Sequence, residues 1–388
     1  MEPVTHVLTG ACLARTGLNR RAAYATAAMA VAAEFPDVDT LWSLRGPVSG
    51  FEHHRGITHT FLGIPFEAAL LLLGFVLFDR LRHHGSKPQT DTRILGRPAP
   101  VRWGMLYVLI VLALLSHLFL DYTNNYGIRP FFPFQNAWYA GSIVFIFDPL
   151  IFLLLLTGLL LPSLFALIGQ EVGGRKERYR GRGWARAVLV LIVLLWAVRW
   201  IQHSRAIELA AGQTLRAPST PMYSNPSSDD LAAGLPAPEP TRPLLGAARV
   251  WASPDPLSIF RWYTVTDFGP AYTLGLADTR VRTLVPNTIL VKPAESAALL
   301  AAQNTRLGRV YLDWSAMPMI RLTDGVPPGF QIEPVIPVGT QTVTFSDLRF
   351  AGDLPFLDQS DRPPLSGQLI MGSGNLPLAE GMDGRFDH

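Results

Sequence analysis

A single cysteine, Cys12, excludes an internal disulfide framework. Charge is scarce as well: Asp, Glu, Lys and Arg make up 16% of the 388 residues, where a soluble domain usually carries roughly 25%. The net charge of +3 is too small to argue for nucleic acid, so no nucleic-acid partner is expected. No internal repeat is visible. What fills the deficit is apolar: 49% of residues are hydrophobic and the mean hydropathy is +0.23. The apolar residues gather in long runs, which points to a polytopic membrane protein.

Four segments reach the roughly 20 apolar residues that a bilayer span needs: Thr60–Phe78, Gly104–Asp121, Ser142–Ile168 and Trp184–Ile201. The third contains Pro149 and Pro162 and is expected to tilt or kink. Upstream, Thr5–Arg15 and Ala22–Ala33 read as two short helices broken at Gly17-Leu18-Asn19. Neither is long enough to span alone, so they are read as a helical hairpin, re-entrant in form, whose open end carries His6 and Asp37. An export signal ending at Ala30-Val31-Ala32-Ala33 is the alternative. It would start late and would discard His6.

Loop charge orients the spans. Arg80–Arg102 and Gln170–Arg186 are each rich in Arg and Lys, which places them in the cytoplasm. Tyr122–Gly141 has Arg129 alone and is placed outside. Glu34–His59 and everything after Ile201 then fall on the extracytoplasmic side. Gln213–Leu245, dense in Pro and Ser, reads as a linker. The domain division is therefore 1–202 in the membrane, a linker over 203–245, and a small β-rich extracytoplasmic domain over 246–388. In that last domain Ile259–Val265, Ala271–Leu276, Arg309–Trp314 and Thr340–Phe350 are expected to supply strands.

Three clusters can carry chemistry. Pro36-Asp37-Val38-Asp39, next to Glu34, sets two carboxylates on a proline-bounded turn; a solvated helix end is the plain alternative. His53-His54-Arg55-Gly56-Ile57-Thr58-His59 puts three imidazoles and a guanidinium in seven residues. Imidazole with carboxylate suits Zn²⁺, and Mn²⁺ or Fe²⁺ less selectively, while the Arg55 fork suits a phosphate or carboxylate. A polar interfacial loop is the alternative. His117 and Asp121, four apart on one face of a span, form the third cluster. Ionisable groups in a span are costly and usually functional, although a structural His–Asp bond, or an Asp121 that only orients His117, fits too. The topology, set from loop charge alone, puts all three clusters and His6 at one membrane face. His83, His84 and His203 read as solvated residues. Glu67 and Asp148 are secondary candidates, Asp148 being more simply the partner of another helix. Pro130–Phe134 reads as an interfacial anchor or pocket wall.

Through Thr5-His6, Pro36-Asp37-Val38-Asp39, His54-Arg55-Gly56-Ile57-Thr58-His59 and Ser116-His117-Leu118-Phe119-Leu120-Asp121, the chain resembles the YdjM-like family of bacterial inner-membrane proteins, which are described as metal-dependent hydrolases. The resemblance covers roughly Met1–Gln202. It implies a metal centre of His6, Asp37, Asp39, His54, His59, His117 and Asp121. The family is distantly similar to zinc-dependent phospholipase C and zinc nucleases, which hydrolyse phosphodiesters with clustered zinc ions. Those enzymes open on a Trp ligand, where this chain opens Met-Glu-Pro.

The expected activity is that of a metal-dependent, phosphodiesterase-like hydrolase of the inner membrane holding one to three divalent ions, zinc foremost. Asp37 or Asp39 would bridge metals or act as base, and Arg55 would neutralise charge on the substrate. The expected partners are membrane lipids and a lipid or phosphoester substrate. A metal transporter would instead need midplane ligands such as Asp148 and Glu67. A metal-stabilised scaffold would need a closed four-ligand site.

Overall fold

The computed structural model describes residues 1–82, 101–171, 181–216, 243–326, 339–350 and 363–386. The expected solvated residues His83 and His84 lie outside these, as do the middles of both basic loops.

The hairpin is present. Glu2 caps α1 (Pro3–Arg15) by accepting from the Val4 and Thr5 amides, and Pro3 takes the first-turn position where its missing N–H costs nothing. Gly17, at φ +122°, ends α1 in a conformation that other residues avoid. The chain returns as α2 (Ala25–Ala32), an alanine-rich helix that lets other helices approach closely. At Gly10 a Cβ would overlap the Met29 carbonyl, so the α1–α2 crossing depends on that glycine. A 3-10 stretch, Phe35–Arg45, follows, then α3 (Pro47–His53) and a single turn at Ile57–His59.

The apolar helices are α4 (Gly63–Arg82), α5 (Trp103–Thr123), α6 (Pro149–Glu171) and α7 (Arg182–Ala211). On α5 the residues Leu106, Ile110, Ala113, Leu114 and His117 are buried against the bundle, while Val108, Leu112, Leu115 and Phe119 are exposed. A helix apolar all round with one exposed face fits a span whose outer face meets lipid. Among the described residues α5 and α7 are each long and apolar enough to cross a membrane. A third span results if Pro47–His59 and α4, bent by 84° to each other, count as one. The third expected segment begins seven residues later than its hydropathy suggests. Asp148 accepts from the Leu150 and Ile151 amides and Pro149 opens the helix, so Ser142–Asp148 stays irregular. Asp148 also pairs with Arg199 of α7, both fully buried, which is the inter-helix role the sequence suggests.

α7 runs straight through the expected start of the linker at residue 203. Its last turns pack on the second domain, with Ala206 against Ala252, Trp262 and Ala277. The strand pair β1 (Thr214–Arg216) and β2 (Leu244–Gly246) brackets the remainder, residues 217–242, which lie outside the described residues. β3 (Arg249–Pro254), β4 (Arg261–Asp267), β5 (Ala271–Asp278) and β6 (Thr283–Val291) form one antiparallel sheet. β7 (Pro318–Asp324), β8 (Gln341–Asp347), β9 (Gly367–Met371), β10 (Pro377–Met382) and β11 (Arg385–Phe386) form a second. Between the sheets lie α8 (Ala297–Gln303) and α9 (Arg306–Trp314). Arg309–Trp314, expected as strand, is therefore helical. Thr305 caps it, and Leu307, Tyr311 and Trp314 recur at helical spacing on its buried face.

Candidate metal centre

Four segments deliver the polar side chains to one buried point. The 3-10 stretch after α2 aims Asp37 inward and buries Asp39. The turn after α3 carries His54, Arg55 and His59, α5 carries His117 and Asp121 one turn apart, and α1 carries His6. His6, His59, His117 and Asp121 are fully buried.

His59 Nε2 lies 3.0 Å from His117 Nε2, 3.2 Å from Asp37 Oδ1 and 3.5 Å from Asp121 Oδ2. His117 Nε2 lies 3.7 Å from Asp37 Oδ1 and 3.4 Å from Asp121 Oδ2. A tetrahedral ion with bonds of about 2.0–2.1 Å holds its donors about 3.3–3.4 Å apart. Five of the six edges of this group thus match a four-coordinate divalent ion within a few tenths of an ångström. Asp121 Oδ2 makes no hydrogen bond although buried, as expected of an oxygen directed at a cation. A second group, Asp37, Asp39 and His54, also brings its donors within 4.8 Å of one another, and Asp37 belongs to both. The residues present therefore fit metal binding, with Asp37 placed to be shared.

The surroundings fix each ligand. His117 Nδ1 lies 2.7 Å from the Ala33 carbonyl and donates to it, which leaves Nε2 as the free lone pair. Asp39 does the same for two rings, its Oδ1 lying 3.1 Å from His54 Nδ1 and its Oδ2 3.2 Å from His59 Nδ1. Asp39 Oδ2 also accepts from the Arg55 amide at 2.7 Å and from Thr58 Oγ1 at 3.2 Å. Burial pushes the Asp37 and Asp39 carboxyls up, but His59 and His117 around Asp37, and His54 and His59 around Asp39, outweigh it. Both acids are held below the usual carboxylate range. Glu34, by contrast, is pushed up to about 8 by burial and by the Asp37 charge.

Arg55 departs from the expected phosphate clamp. Its guanidinium is buried, with Nη2 2.9 Å from Asp121 Oδ1 and Nη1 donating to the Gly127 carbonyl at 2.7 Å and to Asn124 Oδ1 at 3.3 Å. Both Nη atoms are engaged with the protein's own acceptors, while the buried Nε has no hydrogen-bond partner, so here Arg55 braces Asp121. His6 stacks on His117 with centroids 3.9 Å apart and lies 3.4 Å from Asp121 Oδ1, outside both ligand groups. The α-amino group of Met1 also contacts Asp121 Oδ1 and lies 2.9 Å from His6 Nε2. His53 stacks on Trp42 instead of facing the site, and Glu67 is buried with neither oxygen hydrogen-bonded. In the Pro130–Phe134 run, Phe131 meets Phe61 while Phe134 is exposed. Sequence reasoning missed Asn124 and Tyr126. The available signal was the polar run Asn124-Asn125-Tyr126-Gly127 directly after a span that ends in His and Asp.

A buried Asp/His cluster able to hold metal, set beside apolar helices of spanning length, defines a membrane protein with a candidate metal centre. The chain belongs to the YdjM inner membrane protein family, whose profile matches residues 1–206 and so covers every candidate ligand. It is 27% identical over 161 residues to the uncharacterized protein YfhP of Bacillus subtilis (strain 168), a match covering 39% of this chain and 43% of that protein. The chain thus spans less than half the length of that curated relative. No solved structure matches.

Proposed function

We propose that the protein is a multi-pass inner-membrane hydrolase that uses one or more divalent ions, zinc foremost, on a phosphoester or lipid-linked substrate at the extracytoplasmic face. The observation that carries this reading is the sharing of Asp37 between two ligand groups, because a carboxylate placed between two cations suits hydrolysis of phosphoesters. A divalent ion bound there would lower the pKa of a water towards ~7 and polarise the scissile oxygen. The residues of the chain do the rest. His59, His117, Asp121 and Asp37 form the inner group. Asp39 Oδ2 orients His59 and accepts from the Arg55 amide and Thr58, while its Oδ1 faces His54 and belongs to the second group. Asp37 stays ionised and is the most exposed carboxylate of the inner group, which suits it to hold a cation rather than to take up a proton. Arg55, with Nη2 2.9 Å from Asp121 Oδ1, keeps Asp121 aimed.

One observation favours a second reading. Three of the four inner ligands are fully buried, as in a structural site that ties helices together. Metal analysis of the detergent-purified protein, beside His59→Ala and Asp37→Ala, separates the possibilities. The hydrolase reading expects stoichiometric metal that both variants lose, together with phosphodiesterase or phospholipase activity that follows the metal. Metal without activity on any phosphoester would leave the scaffold. A folded wild type that binds no metal would sink both.

A further inference from the structure

Beside the Gly10 crossing, α1 and α2 leave an open groove of about 460 Å³. Val7 of α1 and Ala30, Val31 and Val38 form apolar walls, and Glu34 and Asp37 supply its polar end. Val7, Val31 and Val38 are 37%, 48% and 41% exposed, and the apolar surface continues outward over Val4 and Leu41. An open, mostly apolar groove on the surface of a membrane protein therefore ends at the one carboxylate shared by both ligand groups. A water-soluble phosphoester would gain nothing from such walls, whereas a hydrocarbon chain buries against them. The volume lies within the range of about 300–1,000 Å³ typical of small-molecule sites.

We infer that this groove receives the hydrocarbon chain of a phosphate-bearing membrane lipid from the side of the bilayer and presents its head at Asp37. The inference rests on the hydrolytic reading of the Asp37 site and names the substrate class that site would meet. Its occupant is a lipid rather than a helix of a partner protein because the polar end is a pair of acids beside a cation-binding cluster, which recognises a phosphate through metal and offers an apolar helix nothing. Entry would be lateral, between α1 and α2, without passage through water.

The test uses the full chain in vesicles of phosphatidylethanolamine and phosphatidylglycerol doped with a phospholipid that bears a diazirine on its acyl chain. Adducts are mapped by mass spectrometry, and metal content is measured on the same preparations. Labelling should concentrate on residues 4–11 and 28–41 above the level on the lipid-facing side of α5. It should fall several-fold in both Val31→Trp and Val7→Trp, with metal content unchanged. The two variants fill opposite walls, so misfolding of one leaves the other as the test. Labelling no stronger than on α5, or undiminished in a folded variant, would overturn the groove. Metal without groove labelling removes the groove and leaves the hydrolase, while groove labelling without metal does the reverse. Protection by glycerol phosphate alone would show a headgroup site that ignores the chain and would also overturn the inference.

Discussion

His59 and His117 turn their Nε2 atoms towards each other at 3.0 Å. Such a contact is a hydrogen bond only if one ring supplies a proton there. His117 spends its own N–H on the Ala33 carbonyl, so the proton must sit on His59, whose other nitrogen already faces Asp39. Before a cation binds, His59 would therefore carry a proton on both nitrogens, facing Asp37, Asp39 and Asp121, and an arriving cation would displace one of them. Metal uptake should release about one proton per ion and weaken as pH falls. Calorimetry in two buffers of different ionisation enthalpy measures this, and uptake with no proton release would refute the assignment. Asp39→Asn should keep the four inner ligands but lose the orientation of two rings, lowering metal affinity at the inner group about 10–100-fold, readable by chelator competition. Most of this constellation was legible, because Asp37 to His59 lies within one short stretch and His117 to Asp121 within one helical turn. The inward turn of Arg55 was not. It follows from a positive φ of 54° and from acceptors on Asn124 and Gly127, far along the chain.

Element by element, apolar period and caps carried the reading well. The hairpin and four apolar helices lie near their expected places, two of them, α5 and α7, long and apolar enough to span alone; Asp148 delays the start of α6, and α7 runs on past Ile201 to Ala211. Arg309–Trp314 misled because its aromatic and β-branched residues suit a strand, while the helical face becomes visible only with Leu307 and the Thr305 cap. Two contacts hold the membrane elements at close range. Gly10→Val should overpack the α1–α2 crossing and cost about 1–3 kcal/mol, seen as a lower unfolding temperature in detergent. Arg199→Ala leaves Asp148 buried without its partner, and breaking such a pair costs on the order of 3–5 kcal/mol. If Arg199→Ala melts like wild type, the pair contributes nothing to the docking of α6 on α7.

At the scale of the whole molecule, the β-rich domain is fastened to the membrane domain beside the candidate metal centre. Tyr126 packs against Trp314, with centroids 4.8 Å apart, and Phe51 against Trp314 at 5.1 Å; Arg306 Nε donates to Glu52 at 2.9 Å. The central residue is Arg349, buried and paired with Asp347 at 2.8 Å, with its guanidinium over Trp314 and Trp251. Its Nη1 donates to the Asn125 carbonyl at 2.9 Å and the Tyr126 carbonyl at 3.4 Å, the turn that also presents Asn124 to Asp121. Tyr126 in turn lies under Arg55, whose guanidinium carbon is 4.5 Å from the ring centre. No sequence pattern could disclose this, since the partners lie far apart in the chain, Arg349 and Asn125 by 224 residues, and each looks like an ordinary polar or aromatic residue. The arrangement gives the second domain a part in holding Asp121 through Asn124 and Arg55, although it supplies no ligand. Arg349→Ala should therefore lower metal affinity about 10–100-fold, as loss of an outer support typically does. Arg349→Lys should not rescue it, because an ammonium cannot reproduce the planar fork shared between Asp347 and the Asn125, Tyr126 and Trp314 carbonyls. Chelator competition on protein with unchanged far-UV circular dichroism is the measurement. Wild-type affinity in a folded Arg349→Ala would mean that the two domains touch without coupling.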